Sequence, residues 1–327
     1  MKITRPWWGL AGACALACEL EGGPELEPLD RSVAAAVDEP GTAFDVEGDP
    51  DLAHLDPGAA PDEPGALSEF ADIPAPDGRC GNHPNMLEVA AMEHEFEARL
   101  ALAPPLPRAF SPIPVYVHVI SPTGSAKIPT AAQIQKQIDV LNASFAGTGF
   151  RFSPPVITWT TSDAWYKLVQ NSPQEAEMKA ALRVGGRKAL NIYVADAQGY
   201  LGWATFPWTS WFDLEDDGIV LDYVTLPGSG NASWGAGMTL VHEVGHWLGL
   251  YHTFQNGCSW YGDFVGDTPA EQSPASGCPE APPRDTCPSA GLDPIHNHMD
   301  YTVDACKSEF TAEQRSRMAA QFILFRG

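Results

Sequence analysis

One stretch of the chain decides its fold: His242-Glu243-Val244-Gly245-His246-Trp247-Leu248-Gly249-Leu250-Tyr251-His252. It fits the pattern H-E-x-x-H-x-x-G-x-x-H. On a helix, His242 and His246 lie on one face because they are four residues apart, so both imidazoles can aim at one ion. Gly249 can adopt a positive φ, which lets the chain turn and bring in His252 as a third ligand. The stretch therefore predicts a zinc site whose fourth position is left for water.

Glu243 directly follows the first candidate ligand and is the candidate general base. Zinc lowers the pKa of a water molecule that it binds, and the Glu243 carboxylate can take a proton from that water. The activated water would then attack a peptide carbonyl. A metal-binding module without catalysis and a zinc hydrolase of non-peptide substrates are the alternatives, but a pure binding module has no need of Glu243.

Composition excludes some partners. The 327-residue chain has 42 acidic and 19 basic residues, with a formal net charge of -23. Nucleic acids and anionic membranes attract clustered Lys and Arg, so we expect no nucleic-acid partner. Beyond the N-terminus no apolar stretch is long enough to span a bilayer, so we expect no membrane span. Protein or peptide substrates remain, and we expect a monomer to act on them.

The N-terminal part of the chain predicts export. Residues 1–17 are typical of a signal peptide, because Lys2 and Arg5 precede a short apolar region. Cleavage there would make Cys18 the new N-terminus, where it could carry a lipid, so lipid anchoring and plain secretion both stay open. Residues 18–77 are rich in acidic residues and proline, which predicts a disordered linker.

Hydrophobic periodicity and turn residues outline the rest of the chain. We predict helices at 86–100, 130–145, 236–248 and 311–325. We predict strands at 113–120, 151–161, 189–195, 202–206 and 218–223. This order indicates an α/β (α+β) fold, with a twisted mixed sheet and the zinc helix in an upper subdomain. A loop-rich lower subdomain follows the zinc helix and ends in the C-terminal helix.

The extended motif followed by Thr253-Phe254, together with Asn297-His298-Met299-Asp300-Tyr301, resembles the pappalysin family of the metzincins, in its cytophagalysin branch. The resemblance covers residue 113 to the C-terminus and implies a secreted zinc metalloendopeptidase. It implies that Met299 forms the Met-turn beneath the zinc ligands. It also implies that Tyr301 donates a hydrogen bond to the oxyanion of the tetrahedral intermediate. An astacin-like or reprolysin-like enzyme is the alternative, and the cysteine pattern argues against it.

Four of the seven cysteines lie in the loop-rich segment after the zinc motif: Cys258, Cys278, Cys287 and Cys306. In an exported chain they suggest two disulfides, and spacing alone leaves three pairings open. The pappalysin resemblance implies Cys258 to Cys287 and Cys278 to Cys306. A structural zinc cluster is the weaker alternative, since there is no C-x-x-C pair.

Cys80 is left unpaired, and Gly78-Arg79-Cys80-Gly81-Asn82 resembles the cysteine-switch segment of latent metzincins. A thiolate binds zinc well, so Cys80 could fill the fourth zinc position in an inactive zymogen. An incidental free cysteine is the alternative. We therefore expect residues 78–108 to form a pro-segment before a catalytic domain at 109–327, with cleavage after Arg108 or after Arg99.

Two further assignments rest on the resemblance. The segment from Gly262 to Pro269 resembles one that binds structural Ca²⁺, and Asp263 with the Thr268 carbonyl would suit that ion. An acidic surface turn is the alternative.

The other assignment concerns substrate. Gly202-Trp203-Ala204 resembles the edge strand with which an extended peptide substrate pairs. Small residues at Gly202 and Ala204 would let the peptide backbone approach.

Overall fold

The computed structural model describes residues 79–103, 107, 109–125 and 128–327. The predicted signal peptide, the linker, Cys18 and Arg108 lie outside the described residues. The helices are α1 (Met86–Leu100), α2 (Ala131–Ser144), α3 (Asp163–Tyr166), α4 (Pro173–Leu182), α5 (Pro207–Phe212), α6 (Met238–Trp247) and α7 (Ala312–Gln321). The strands are β1 (Val115–Ser121), β2 (Val156–Thr161), β3 (Leu190–Ala195), β4 (Gly202–Ala204) and β5 (Ile219–Asp222).

The five strands form one mixed sheet in the order β2-β1-β3-β5-β4. Four strands run parallel, and only β4, at one edge, is antiparallel to its neighbour β5. The strands β3 and β5 are buried along their whole length, as expected for parallel strands covered on both faces. Helices α2 and α6 pack against each other, and α6 also contacts β4 and β5. The predicted mixed α/β architecture is confirmed.

Some element bounds differ from the prediction. The strand expected from 151 starts only at Val156, because Pro154 and Pro155 before it lack the N–H that a ladder requires. The last α-helix ends at Gln321, and a π-helix follows it directly at Phe322–Arg326. Helices α3 and α5 were not predicted, because four and six residues are too few to show a clear period. Helix α4 has ten residues, but two of its three buried residues are the charged Glu175 and Lys179, so it lacks the apolar face that marks a helix in a sequence.

Helix α6 carries the H-E-x-x-H motif and is buried on all sides but one end. The helix ends at Trp247, and Gly249 has a φ of +93°, which confirms the predicted left-handed turn. The N–H of Gly249 bonds to the carbonyl of His246, and the N–H of Leu250 bonds to that of Gly245, as in a glycine-terminated helix. A side chain at Gly249 would also collide with Gln321, so the turn and its packing both require glycine. The chain reverses here toward His252.

Two disulfides connect segments of the chain that follow helix α6, and a hydrogen bond from near the C-terminus reaches the end of that helix. Disulfides join Cys258 to Cys287 and Cys278 to Cys306, which is the pairing that the resemblance implies. The penultimate residue, Arg326, donates to the Trp247 carbonyl at the end of α6 (3.0 Å). Within the described ranges, no helix has the length and apolarity that a membrane crossing requires.

Candidate active site

Three imidazoles converge at one point, although they come from a helix and from the turn after it. The Nε2 atoms of His242, His246 and His252 lie 3.1 to 3.2 Å from one another. All three side chains are buried. The helix supplies the first two ligands at a spacing of four residues, and the reversal at Gly249 supplies the third. The structure thus brings together the three histidines that the motif singles out as ligands.

Hydrogen bonds decide which ring nitrogens carry protons. Nδ1 of His242 lies 2.7 Å from the His298 carbonyl, and Nδ1 of His246 lies 2.7 Å from the Leu250 carbonyl. A carbonyl can only accept, so each Nδ1 donates and each Nε2 carries a lone pair. Burial lowers the pKa of His246 to about 3 and the pKa values of His242 and His252 well below the usual range. The rings are therefore neutral at pH 7.

This donor set fits zinc. Lone pairs that face one another across such short distances repel unless a cation lies between them, and three neutral imidazoles with an open fourth position are the usual catalytic zinc set. The backbone carbonyls that hold the two Nδ1 atoms fix the ring orientations, as is common for histidines that bind metals.

Met299 lies against helix α6 and is fully buried. A Cβ added at Gly245 would overlap the Met299 sulfur, so the glycine inside the helix makes room for this side chain. Glycine in a helix interior costs about 1 kcal/mol relative to alanine, which was the local signal that this position is special. The structure thus places Met299 against the helix that carries His242 and His246, and the need for glycine at position 245 was not predicted.

Glu243 lines the same cleft as His242 and Tyr301. Its Oε2 accepts a hydrogen bond from the Cys80 thiol (3.5 Å), and its Oε1 is buried with no partner in the described part of the chain. Burial raises the pKa of Glu243 to about 8, and the Cys80 hydrogen bond and the charge of Lys307 oppose that shift. A Cβ at Gly202 would lie 3.2 Å from Glu243 Cγ and 2.9 Å from the Val220 carbonyl oxygen. Gly202 therefore gives room to Glu243, a reason that the sequence did not reveal.

Cys80 is the fourth member of the cluster. Its sulfur and one nitrogen from each of the three histidines lie within 4.8 Å of one another. The thiol is buried, and burial followed by the charge of Glu243 raises its pKa well above the usual range. The N–H of Asn82 donates to the sulfur (3.4 Å), which orients the side chain toward the histidines. The resemblance had placed Cys80 at this position.

The residues around Cys80 lie along the free edge of β4. They run parallel to it: the Arg79 carbonyl accepts from Leu201 N–H (2.8 Å), and Gly81 N–H donates to the Gly202 carbonyl (2.9 Å). The Asn82 side chain bonds both backbone groups of Ala204, at 2.6 and 2.8 Å.

The candidate substrate strand is thus covered in this structure. Trp203 turns its ring into a separate apolar cluster and donates to Glu175 (2.7 Å), so only its backbone faces this edge.

Tyr301 completes the site on the side of His252. Its ring packs edge-on against His252, with centroids 4.8 Å apart. The hydroxyl donates to the Cys80 carbonyl and lies equally close to His83 Nε2, at 3.4 Å in each case. Burial, and next the nearby Cys80, raise the Tyr301 pKa well above its usual range, so the hydroxyl keeps its proton. Asn82 belongs to the segment that the cysteine-switch resemblance singles out, whereas nothing in the sequence marks His83.

Helix α1 makes a second contact far along the chain from Cys80. Its buried Glu93 accepts from the Tyr251 hydroxyl (2.9 Å) and from Arg317, whose NH1 lies 3.0 Å from the carboxylate. Phe96, one turn later, packs with Phe325 and Ala320. The pro-segment predicted from the sequence is therefore attached at two places, one at the histidines and one at α7.

Asp263 and Thr268, the candidate calcium ligands, lie together in the loop after the zinc motif. Asp263 Oδ1 accepts from Val265 N–H (3.1 Å), whereas Oδ2 of Asp263 and the Thr268 hydroxyl are buried without a partner in the described residues. Burial raises the pKa of Asp263 to about 8. A buried carboxylate oxygen without a partner is unfavourable, and a cation would relieve it.

The family model described as pregnancy-associated plasma protein-A, peptidase family M43, matches residues 183–323. An extracellular metalloprotease of Sordaria macrospora is 44% identical over 219 residues, which cover 65% of this chain and 75% of that protein. The chain belongs to the pappalysin family. Extracellular metalloprotease 1 of Coccidioides posadasii is 41% identical over 221 residues, covering 65% of this pappalysin and 78% of the relative.

Solved structures agree with this assignment. Mature mirolysin of Tannerella forsythia in complex with a cleaved peptide superposes with a TM-score of 0.57 at 31% identity, covering 66% of this pappalysin and 93% of that chain. A promirolysin mutant of Tannerella forsythia gives a TM-score of 0.62 at 29% identity, and the match covers 76% of this pappalysin and 95% of that chain. This pappalysin is therefore a metalloprotease with the metzincin-like fold that the resemblance implied.

Proposed function

We propose that the chain is a secreted zinc endopeptidase, made as a latent zymogen, in which His242, His246 and His252 bind the metal and Glu243 is the general base. The observation that carries the proposal is the convergence of three Nε2 atoms beside the buried side chain of Glu243, one oxygen of which has no partner in the described residues. Relatives named extracellular metalloproteases support export and proteolysis.

The roles of the side chains follow from their positions. When bound, zinc supplies Lewis acidity, which lowers the pKa of a water and polarises the scissile carbonyl. Glu243 then takes a proton from the attacking water at its carboxylate and returns it to the leaving amide nitrogen. The Tyr301 hydroxyl keeps its proton and donates to the carbonyl oxygen as negative charge develops there. The backbone of Gly202 and Ala204 at the sheet edge aligns the peptide.

Latency would arise because residues 79–83 lie where water and substrate bind in an active enzyme. The Cys80 thiolate would be the fourth zinc ligand, residues 79–82 pair with β4, and the Tyr301 hydroxyl is held by Cys80 and His83. Residues 79–83 would thus keep water from the zinc, the substrate backbone from β4 and the oxyanion from the Tyr301 hydroxyl. We propose that residues 78–108 are this pro-segment and that the catalytic domain is 109–327.

Maturation requires a cut that releases α1. Arg99 forms an ion pair with Glu95 and stacks over Trp211, with its guanidinium carbon 4.1 Å from the ring centroid. Cleavage after Arg99 would first require α1 to unfold. We therefore place the cut after Arg108. The proposal includes removal of a signal peptide at residues 1–17, release as a monomer and a linker at 18–77; lipidation of Cys18 is left out of it.

Removal of metal tests this proposal. Mature protein, trimmed at Arg108, should cut casein at internal bonds, lose activity in EDTA and regain it with zinc alone. Casein fragments identified by mass spectrometry would distinguish an endopeptidase from an exopeptidase. An enzyme that cuts casein equally well after complete zinc removal would contradict the proposal.

The same samples test calcium at Asp263 and Thr268. Because calcium would compensate the buried Asp263 carboxylate, zinc alone should restore activity but not the full melting temperature, and added calcium should restore the rest. An Asp263→Asn variant is the matched control, since it should show no calcium-dependent gain. Full recovery of the melting temperature with zinc alone would remove calcium from the proposal.

The Tyr301→Phe variant of the mature enzyme should lose kcat by about a hundredfold, because one preorganised oxyanion donor contributes about 10²–10³ to kcat. Zinc content and KM should change little, since the ring still packs on His252. Steady-state kinetics on a peptide substrate measure both parameters. A Tyr261→Phe variant in the outer loop is the control, and unchanged kcat in Tyr301→Phe would exclude the oxyanion role.

A further inference from the structure

Lys307 is a buried lysine next to the site that no motif singled out. It follows Cys306, which is held in a disulfide, and the residue is 8% exposed. The ammonium group donates to the Asp300 carbonyl (2.5 Å) and to the His298 carbonyl (3.3 Å). His298 and Asp300 are the residues directly before and after Met299 in the chain. Lys307 therefore bonds the Met-turn at both ends.

A buried ammonium group normally has a carboxylate partner. Lys179, the other buried lysine in the described residues, has two, Glu175 at 2.7 Å and Asp216 at 3.0 Å. Lys307 has no carboxylate within ion-pair distance in the part of the chain that the structure describes, and burial lowers its pKa to about 8. Such burial is unfavourable on its own, which indicates that the contacts of Lys307 serve the site.

The His298 carbonyl links Lys307 to the metal site. It accepts from Lys307 and, at 2.7 Å, from Nδ1 of His242. Lys307 also lines the cleft that contains His242, Glu243 and Tyr301. A shift of this carbonyl would therefore change the orientation of the His242 ring.

We propose that Lys307 is a positioning residue for the zinc site: its ammonium group fixes the carbonyls of His298 and Asp300 and, through the first of them, the imidazole of His242. The inference rests on the proposed function only in that His242 is taken to bind zinc. Partners that orient a metal-bound histidine typically change metal affinity or activity by about 10–100-fold when they are removed. Lys307 acts through a backbone carbonyl, and it does not touch the reacting atoms.

The test compares mature wild type with Lys307→Met, which keeps the length of the side chain and removes its charge. Zinc affinity is measured by competition with a chelator, and ligand geometry by the absorption spectrum of the cobalt-substituted protein. We expect zinc affinity to fall about tenfold or more in Lys307→Met, with a changed cobalt spectrum and a loss in kcat that exceeds any change in KM. Lys307→Arg, which keeps the charge, should recover much of the affinity.

Lys179→Met is the matched control, because it removes a buried lysine away from the histidines. It should lower the melting temperature while zinc affinity and the cobalt spectrum stay as in wild type. If Lys307→Met does not fold, Lys307→Gln replaces it, since it also lacks the charge. Wild-type affinity and spectrum in the folded variant would overturn the proposal for Lys307, whereas a wild type that binds no zinc would overturn the proposed function.

Discussion

A mature protein carrying Glu243→Gln should bind about one zinc per chain and hydrolyse casein about a thousandfold more slowly than wild type. The amide has the shape of the carboxylate but cannot take a proton from the attacking water. Glu243 is buried, and its only hydrogen-bond partner in the described residues, Cys80, belongs to the proposed pro-segment. Its replacement should therefore leave the mature histidine cluster intact. Casein hydrolysis and zinc content, measured on the same sample, give both results.

Zinc content is the internal control for this variant. If activity and zinc are lost together, the defect lies in metal binding and says nothing about the base. If zinc stays and activity stays with it, Glu243 is not the base, and another acceptor must be sought. The expected pattern, retained zinc with lost activity, separates the two roles because Glu243 is adjacent to a ligand but is not one itself.

The full-length precursor carrying Cys80→Ala should hydrolyse a peptide substrate before any cleavage of its chain, at a rate at least about tenfold above the wild-type precursor. Alanine cannot occupy the fourth zinc position, so water gains access to it. Release will be partial, because Arg79, Gly81 and Asn82 still pair with β4 and Glu93 still pairs with Arg317. The rate is measured at early times, with intact mass confirming that the chain is whole.

His94→Ala is the control for latency, because His94 lies on α1 with its side chain exposed. That precursor should stay as inactive as wild type. A Cys80→Ala precursor that is equally inactive would show that the thiol is dispensable and that pairing with β4 alone blocks the site. The pro-segment would then act by exclusion of substrate, with Cys80 as an incidental cysteine.

The histidine site could be predicted because its information is local. The spacing of His242 and His246 places them on one helical face, and the positive φ at Gly249 follows from its place after the helix. Helix α1 was predicted to the residue for the same reason, since Asn85 and Glu88 form a capping box that marks its start.

Other features depend on contacts between distant parts of the chain. Glu93 and Lys307 are ordinary charged residues in the sequence. Their contacts form only when α1 packs against α7 and when the Lys307 side chain reaches the carbonyls of His298 and Asp300. The space that Gly202 leaves for Glu243 could not be predicted, because the Glu243 side chain comes from another element of the fold. Contacts between distant parts of the chain produce no periodic pattern in the sequence, so they could not be predicted from it.

The most direct test measures zinc and casein hydrolysis together in mature wild type and in His246→Ala. Wild type should hold about one zinc per chain and be active, whereas His246→Ala should hold almost none and be inactive, because two imidazoles bind zinc far more weakly than three. His296→Ala, which alters a histidine outside the cluster, should resemble wild type in both measurements. A folded His246→Ala protein that keeps its zinc and its activity would contradict the assignment of the metal site.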